Sequence, residues 1–200
     1  RQQRRVGADP DPRGPAGLEG QLAPRGGDLA LRRRLGDLQA PVVGFRYFNV
    51  YGPRQSFSPY TGAITIFMNQ LLNSQPITIF GDGEQTRDFV FVEDVASANM
   101  LALIGKDAAG EAINIATGTA TSVNELVKAL MRIVDKTRMK PVHAEPKQGE
   151  IRHSCASIEK ANRTLGYRPM FTLDSGLRQL VEWYISKPSK PPQRKKRVSG

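Results

Sequence analysis

Between Pro41 and Ser186, short β-rich runs alternate with stretches of helical periodicity, and this alternation constrains the fold more than any other feature. Val42-Val43-Gly44-Phe45-Arg46-Tyr47 is a β-rich run after a proline. Ala63 to Leu72 sets Ile64, Phe67, Met68, Leu71 and Leu72 at helical spacing. Ile77-Thr78-Ile79-Phe80 predicts a short strand and Gly81-Asp82-Gly83 a turn. Asp88 to Val92 predicts another strand, with Asp94 as N-cap of a helix over Val95 to Leu103. A strand over Ala112 to Ile115 and a turn at Gly118 come next. Ser122 and Glu125 make a capping box, and the helix it opens carries Val123, Leu126, Val127, Leu130, Met131 and Val134 on one face. Ser157 is expected to open a helix that ends at Gly166. Thr172 is expected to open a last helix with Leu173, Leu177, Leu180, Val181 and Tyr184 inward and Arg178 outward. Strands separated by helices predict an α/β domain with a mostly parallel sheet.

The two ends read differently. Residues 1–40 hold 7 Gly and 4 Pro and lack aromatics, Ile and Lys. Leu29 to Leu38 can make a short helix with an arginine face, and the rest is expected to be disordered. A skew to Arg, Gly, Pro and Ala fits either a genuine disordered arm or GC-rich DNA read out of frame; both readings stay open. Residues 187–200 carry Pro188, Pro191 and Pro192 with the run Arg194-Lys195-Lys196-Arg197, a basic disordered tail. It is read as a solvated tail or as a nucleic-acid or localisation signal. The formal charge of +10 is thus terminal, because residues 41–186 hold 15 basic against 14 acidic side chains. A nucleic-acid reader carries its charge on a folded face, so that class is disfavoured.

No window of 18 apolar residues is present, which predicts no transmembrane helix. The basic start has no apolar run behind it, as a secretory signal requires. Cys155 is the single cysteine and cannot form an internal disulfide, so a reducing compartment, the cytoplasm, is expected. No metal site is read in the chain.

Four blocks carry a resemblance. They are Arg46-Tyr47-Phe48-Asn49-Val50-Tyr51-Gly52-Pro53-Arg54, Ile79 through Val95 with its Gly81-Asp82-Gly83 and Arg87-Asp88-Phe89, Asn114-Ile115-Ala116-Thr117-Gly118, and Gly149-Glu150-Ile151-Arg152-His153-Ser154 followed by Lys160-Ala161. In this order they resemble the extended short-chain dehydrogenase/reductase family, closest to its UDP-glucose 4-epimerases. Related sugar-nucleotide dehydratases and decarboxylases share most of them. The resemblance implies an N-terminal Rossmann domain for NAD and a smaller C-terminal part for the nucleotide sugar. Residues 41–186 match the second, with the late strands of the first, or roughly half a family member. It implies a UDP-sugar as ligand, frequent homodimers and no membrane. The implied reaction is hydride transfer from sugar to NAD+, rotation of the keto sugar, and hydride return.

That chemistry uses a Tyr in Tyr-x-x-x-Lys as base, with the Lys lowering its pKa from the same helix face. No Tyr in this chain has Lys four residues later; the first Tyr is Tyr47 and the first Lys is Lys106. No catalytic residue is therefore assigned. Gly14, Gly17 and Gly20 spell the family's NAD fingerprint, yet Asp9-Pro10-Asp11-Pro12 before them is no strand. Pro24 and Gly26-Gly27 after them break a helix. The chain is expected to be a truncated family member, inactive alone; a noncatalytic or nucleic-acid-binding fragment is the reading from another class.

By resemblance, Phe48 and Val50 lie near the nicotinamide. Asn49 contacts the sugar diphosphate, or else its amide satisfies loop backbone. Arg87 meets the UDP phosphates, for which a guanidinium fork is suited, or else pairs with Asp88 or Glu84. Phe80, with Ile79 and Thr78, flanks the uracil, where its ring stacks on the base or joins the core. The helix start at Ala63 and Ile64 offers backbone N–H groups to phosphate. Glu150 matches an acidic position that meets a ribose hydroxyl, and Lys147 stands near a position often held by Arg. His153 reads as structural and Cys155 as a small core residue.

Overall fold

A computed structural model describes residues 42–55, 62–105 and 108–186. The glycine pattern, the arm with its Leu29 to Leu38 helix, and the basic tail lie outside the described residues.

Apolar β-rich runs pair first with one another. β1 (Gly44–Tyr47) lies parallel to β6 (Ala112–Ile115), with Gly44 opposite Ala112 and Tyr47 opposite Ile115. The chain then switches partner at Phe48. Phe48 N still donates to Ile115 O at 3.1 Å, whereas Asn49 N donates to Asp88 O at 3.0 Å. Hence β2 (Asn49–Tyr51) runs parallel to β5 (Phe89–Phe91). β3 (Thr78–Phe80) pairs in parallel with β8 (Val142–Ala144), and β4 (Thr86–Arg87) antiparallel with β7 (Thr121–Ser122). The pairing is mostly parallel, as predicted, but it is distributed over strand pairs rather than one continuous sheet.

Five helices cover these pairs among the described residues: α1 (Ala63–Leu72), α2 (Val92–Ile104), α3 (Val123–Ile133), α4 (Glu159–Leu165) and α5 (Leu173–Ser186). Phe67, Met68 and Leu71 of α1, Leu126 and Leu130 of α3, and Leu177 and Leu180 of α5 close one core over Tyr51, Ile79 and Phe91. Leu72, expected inward, is exposed because it falls off that face at the end of its helix. A second core joins Ala98 of α2, Ile113 and Ile115 of β6, and Ala161 and Leu165 of α4 around the fully buried Tyr167. Its hydroxyl donates to Ala116 O at 3.0 Å, which satisfies the one polar atom of that ring. Gly176 faces Tyr51: a Cβ there would stand 2.9 Å from Phe91 Cδ2 and closer still to the Tyr51 hydroxyl, so only glycine seats α5 at this distance.

Two helix starts differ from expectation. α2 begins at Val92 with Phe91 as N-cap, so Asp94 is not the cap but sits inside the first turn. It is fully buried, and its carboxylate accepts from Met170 N at 2.8 Å and Phe171 N at 3.3 Å. Long-range backbone donors thus claim a side chain that local spacing assigned to capping. α4 begins at Glu159 after Ile158, and Ser157 Oγ accepts from Glu159 N only at 3.4 Å. Gly166, in left-handed geometry at φ 67°, closes that helix as predicted. The capping box is complete: Ser122 Oγ accepts from Glu125 N at 3.1 Å and Glu125 Oε2 accepts from Ser122 N at 2.8 Å. Ser122→Ala is expected to cost about 1 kcal/mol and lower Tm by roughly 2–4 °C in a thermal melt.

Candidate functional site

Where β2 and the start of β5 lie beside the start of α1, the fold forms a cavity of about 320 Å³. Its lining brings together Asn49, Val50 and Tyr51 of β2, Ala63 and Ile64 of α1, Arg87 and Phe89 around β5, and Glu150 from the far segment. The first turn of α1 has no acidic side chain, and its N-cap is Gly62, which gives no side-chain cap. Thr65 N and Ile66 N donate back to Gly62 O, and Ala63 and Ile64, at the positive end of the helix, lie in the cavity lining.

Strand alternation explains the orientation of Arg87. Successive residues of a strand point to opposite sides, so Arg87 faces the cavity while Asp88 faces the interior. Arg87 Nη1 donates to Thr86 O at 2.8 Å and Nη2 to Glu150 Oε1 at 3.1 Å. Its ion-pair partner is thus Glu150, not Asp88 or Glu84. Asp88 is fully buried and accepts from Thr117 N at 2.8 Å, Thr117 Oγ1 at 2.7 Å, Gly118 N at 2.9 Å and Ala156 N at 3.4 Å. Glu84 accepts from Asn124 Nδ2 at 2.6 Å.

Glu150 reaches the cavity because its segment is fastened beside β4. Arg152 donates to both oxygens of Asp82 at 2.8 and 2.6 Å, and these bonds hold the Asp82 carboxyl down at about 2. Thr86 N donates to Arg152 O at 2.9 Å, and Ser154 N donates to Thr86 O at 3.1 Å. His153 Nδ1 lies 3.1 Å from Thr86 Oγ1, a structural position.

The other predicted residues fall as follows. Asn49 does two things: it lines the cavity, and its Nδ2 donates to Asp88 O at 3.3 Å. Val50 and Ile64 line the cavity. Phe48 sits at the partner switch between β1 and β2, outside the lining. Phe80 is also outside the lining; the residue is 39% exposed, with Lys147 Nζ 4.3 Å from the ring centroid. Tyr51, Gln55, Gly62, Phe89 and Val123 complete the lining without having been read from the sequence as site residues. Gln55 Oε1 accepts from Thr65 Oγ1 at 2.6 Å, a contact between a loop and a helix that no local pattern encodes.

Burial, then the Asp94 charge, pushes the Tyr51 phenol far above its ordinary value, and its hydroxyl donates to Leu173 O at 3.3 Å. Burial, then Asp88, raises the Cys155 thiol. The charged side chains of the lining are Arg87 and Glu150, paired with each other, with the start of α1 and the amides of Asn49 and Gln55 beside them. Among the described residues no cluster of His, Cys, Asp or Glu forms a metal site, and no helix is long and apolar enough to cross a membrane.

Residues 29–116 match the NAD dependent epimerase/dehydratase family. The UDP-glucose 4-epimerase of Mycolicibacterium smegmatis is 37% identical over 159 residues, covering 80% of this chain and 50% of that protein. The crystal structure of UDP-glucose 4-epimerase with UDP-glucose from Thermotoga maritima matches with a TM-score of 0.72 at 38% identity, over 79% of this chain and 50% of that one. UDP-glucuronic acid 4-epimerase from Bacillus cereus, in complex with UDP-glucuronic acid and NAD, matches with a TM-score of 0.69 at 34% identity, over 78% of this chain and 49% of that one. The chain spans about half the length of the curated relatives it matches. The resemblance carried by the four sequence blocks and the α/β fold are both borne out.

Proposed function

We propose, for a chain that belongs to the NAD-dependent epimerase/dehydratase family, that the cavity at Arg87 is the nucleotide-sugar half of a UDP-sugar 4-epimerase site. One observation carries the reading: Arg87, the α1 start and Asn49 converge on one cavity, and together they suit a diphosphate. Glu150 supplies an acceptor for a ribose hydroxyl at the same wall. UDP-glucose and UDP-galactose, interconverted through a 4-keto intermediate, are the substrates this reading favours. The choice among epimerase, dehydratase and decarboxylase lies with residues beside a Tyr-x-x-x-Lys pair, which this sequence does not contain.

NAD supplies the hydride chemistry in the family. By resemblance Phe48 and Val50 flank its nicotinamide, but its diphosphate requires a Gly-rich turn opening a helix. No helix among the described residues starts from one. These residues do not fit the whole cofactor, and no step is derived through it.

Two measurements test the proposal. The 200-residue chain, given UDP-glucose and NAD+, is expected to form no UDP-galactose above a buffer blank; conversion would overturn the assignment of the chain as a binding half. UDP is expected to bind at least about tenfold more tightly than uridine, the difference being the charge-assisted phosphate contacts. Equal binding of the two would remove the diphosphate from this cavity.

A further inference from the structure

We propose that residues 145–151 form a strap that occupies Arg87 in the empty protein and that the ligand displaces: Glu150 competes internally for the anion site and passes from Arg87 to the ribose when a diphosphate takes the guanidinium. The inference rests on the anion reading of the Arg87 cavity and adds a moving part to it.

The strap is pinned at both ends. On one side Gly81 N donates to Ala144 O at 2.8 Å, at the end of β8. On the other, Arg152 holds both oxygens of Asp82, and Thr86 N donates to Arg152 O at 2.9 Å. Every residue from Glu145 to Glu150 is exposed. The backbone bond within this stretch is the strap's own turn, Glu150 N to Lys147 O at 3.3 Å. Gly149 bends it at φ 77°, and no atom lies within 4 Å of where a Cβ would stand, so the strap has open space beside it.

Two side-chain contacts tie the strap to the body. Lys147 Nζ sits 4.3 Å from the centroid of the Phe80 ring, and Glu150 Oε1 lies 3.1 Å from Arg87 Nη2. Each is weak by its setting: Phe80 is 39% exposed, and the Arg87 and Glu150 side chains are 18% and 31% exposed. Both body partners carry chemistry that a nucleotide would claim, a guanidinium fork for an oxyanion and a ring face for a base. The strap thus holds a carboxylate where an anion would bind. A diphosphate offers Arg87 more oxygens and more charge than one carboxylate does, so the exchange favours the ligand, and the cost of opening is subtracted from its affinity.

The probe is inorganic pyrophosphate, which carries the anion but neither base nor ribose. It is titrated calorimetrically into the full 200-residue chain, and the heteronuclear NOE at Gln148 and Gly149 follows the mobility of the strap. Glu150→Gln is expected to bind pyrophosphate at least about threefold more tightly than the parent. Loss of a negative charge would do as much in a rigid wall, so Phe80→Leu decides the matter: it keeps every charge and loosens only the Lys147 end. It is expected to raise pyrophosphate affinity about twofold and to lower the NOE at Gln148 and Gly149 in the free protein. In the parent, saturating pyrophosphate is expected to lower the same values, and UDP, which gives Glu150 a ribose hydroxyl, to restore them. Unchanged affinity in either variant, or pyrophosphate binding that leaves the strap as rigid as before, overturns the strap and leaves the anion site standing. Pyrophosphate that fails to bind even to Glu150→Gln overturns the anion site, and the competitor role with it.

Discussion

Asp88→Ala is expected to destabilise the fold by about 3 kcal/mol, because it strips the acceptor from four donors at once, three of them part-buried and one buried. The carboxylate gathers Thr117 N, Thr117 Oγ1, Gly118 N and Ala156 N, and so ties the start of β5, the turn after β6 and the segment before α4 to one point. Asp88 itself is fully buried, and the orphaned Ala156 N–H would be left inside the protein without an acceptor. Against a total stability of about 5–15 kcal/mol the loss is large. Urea unfolding followed by circular dichroism measures it. Asp88→Asn, which keeps one acceptor oxygen but turns an NH₂ toward donors, is expected to fall between alanine and the parent. A parent-like midpoint for Asp88→Ala would show that Thr117 and Gly118 are not held by this carboxylate.

Arg87→Ala is expected to weaken UDP roughly tenfold to hundredfold, the equivalent of losing a charge-assisted contact of about 1.5–3 kcal/mol. The geometry adds a second cost. Glu150 now pairs with Arg87 at 3.1 Å; without the guanidinium its charge stays in the cavity wall and repels the diphosphate. Arg87→Ala combined with Glu150→Gln should therefore recover part of the loss in titration calorimetry. Arg178→Ala is the control: Arg178 lies on the outer side of α5, paired with Asp174 at 2.7 Å, and should bind UDP like the parent. Equal affinity for Arg87→Ala and the parent would make Arg87 a structural ion-pair residue only.

Local signals were legible and convergent ones were not. The capping box at Ser122 and Glu125, the left-handed close at Gly166 and the inward face of α5 depend on neighbours within a turn or two, and each stands where the spacing put it. Asp94 misled because its partners, Met170 and Phe171, are distant in sequence. Asp88 was named only as a possible partner of Arg87, although strand alternation alone separates the two side chains. Tyr51, Gln55 and Val123 reach the cavity only through packing of α1 and α3 against β2 and β5. Resemblance pointed to Asn49, Arg87, Ile64 and Glu150, and the fold gathers all four on one cavity. Phe80 and Phe48 stand apart from it.

The central claim is that nucleotide diphosphate enters the cavity at Arg87 rather than the basic ends of the chain. Amide shift mapping during a UDP titration tests it most directly, run at low and raised salt. Shifts are expected to cluster at Asn49 and Val50, at residues 62–64, at Arg87 and at Glu150, and to persist at raised salt. Shifts confined to residues 1–40 and 187–200, and abolished by salt as for a simple charge attraction, would contradict it.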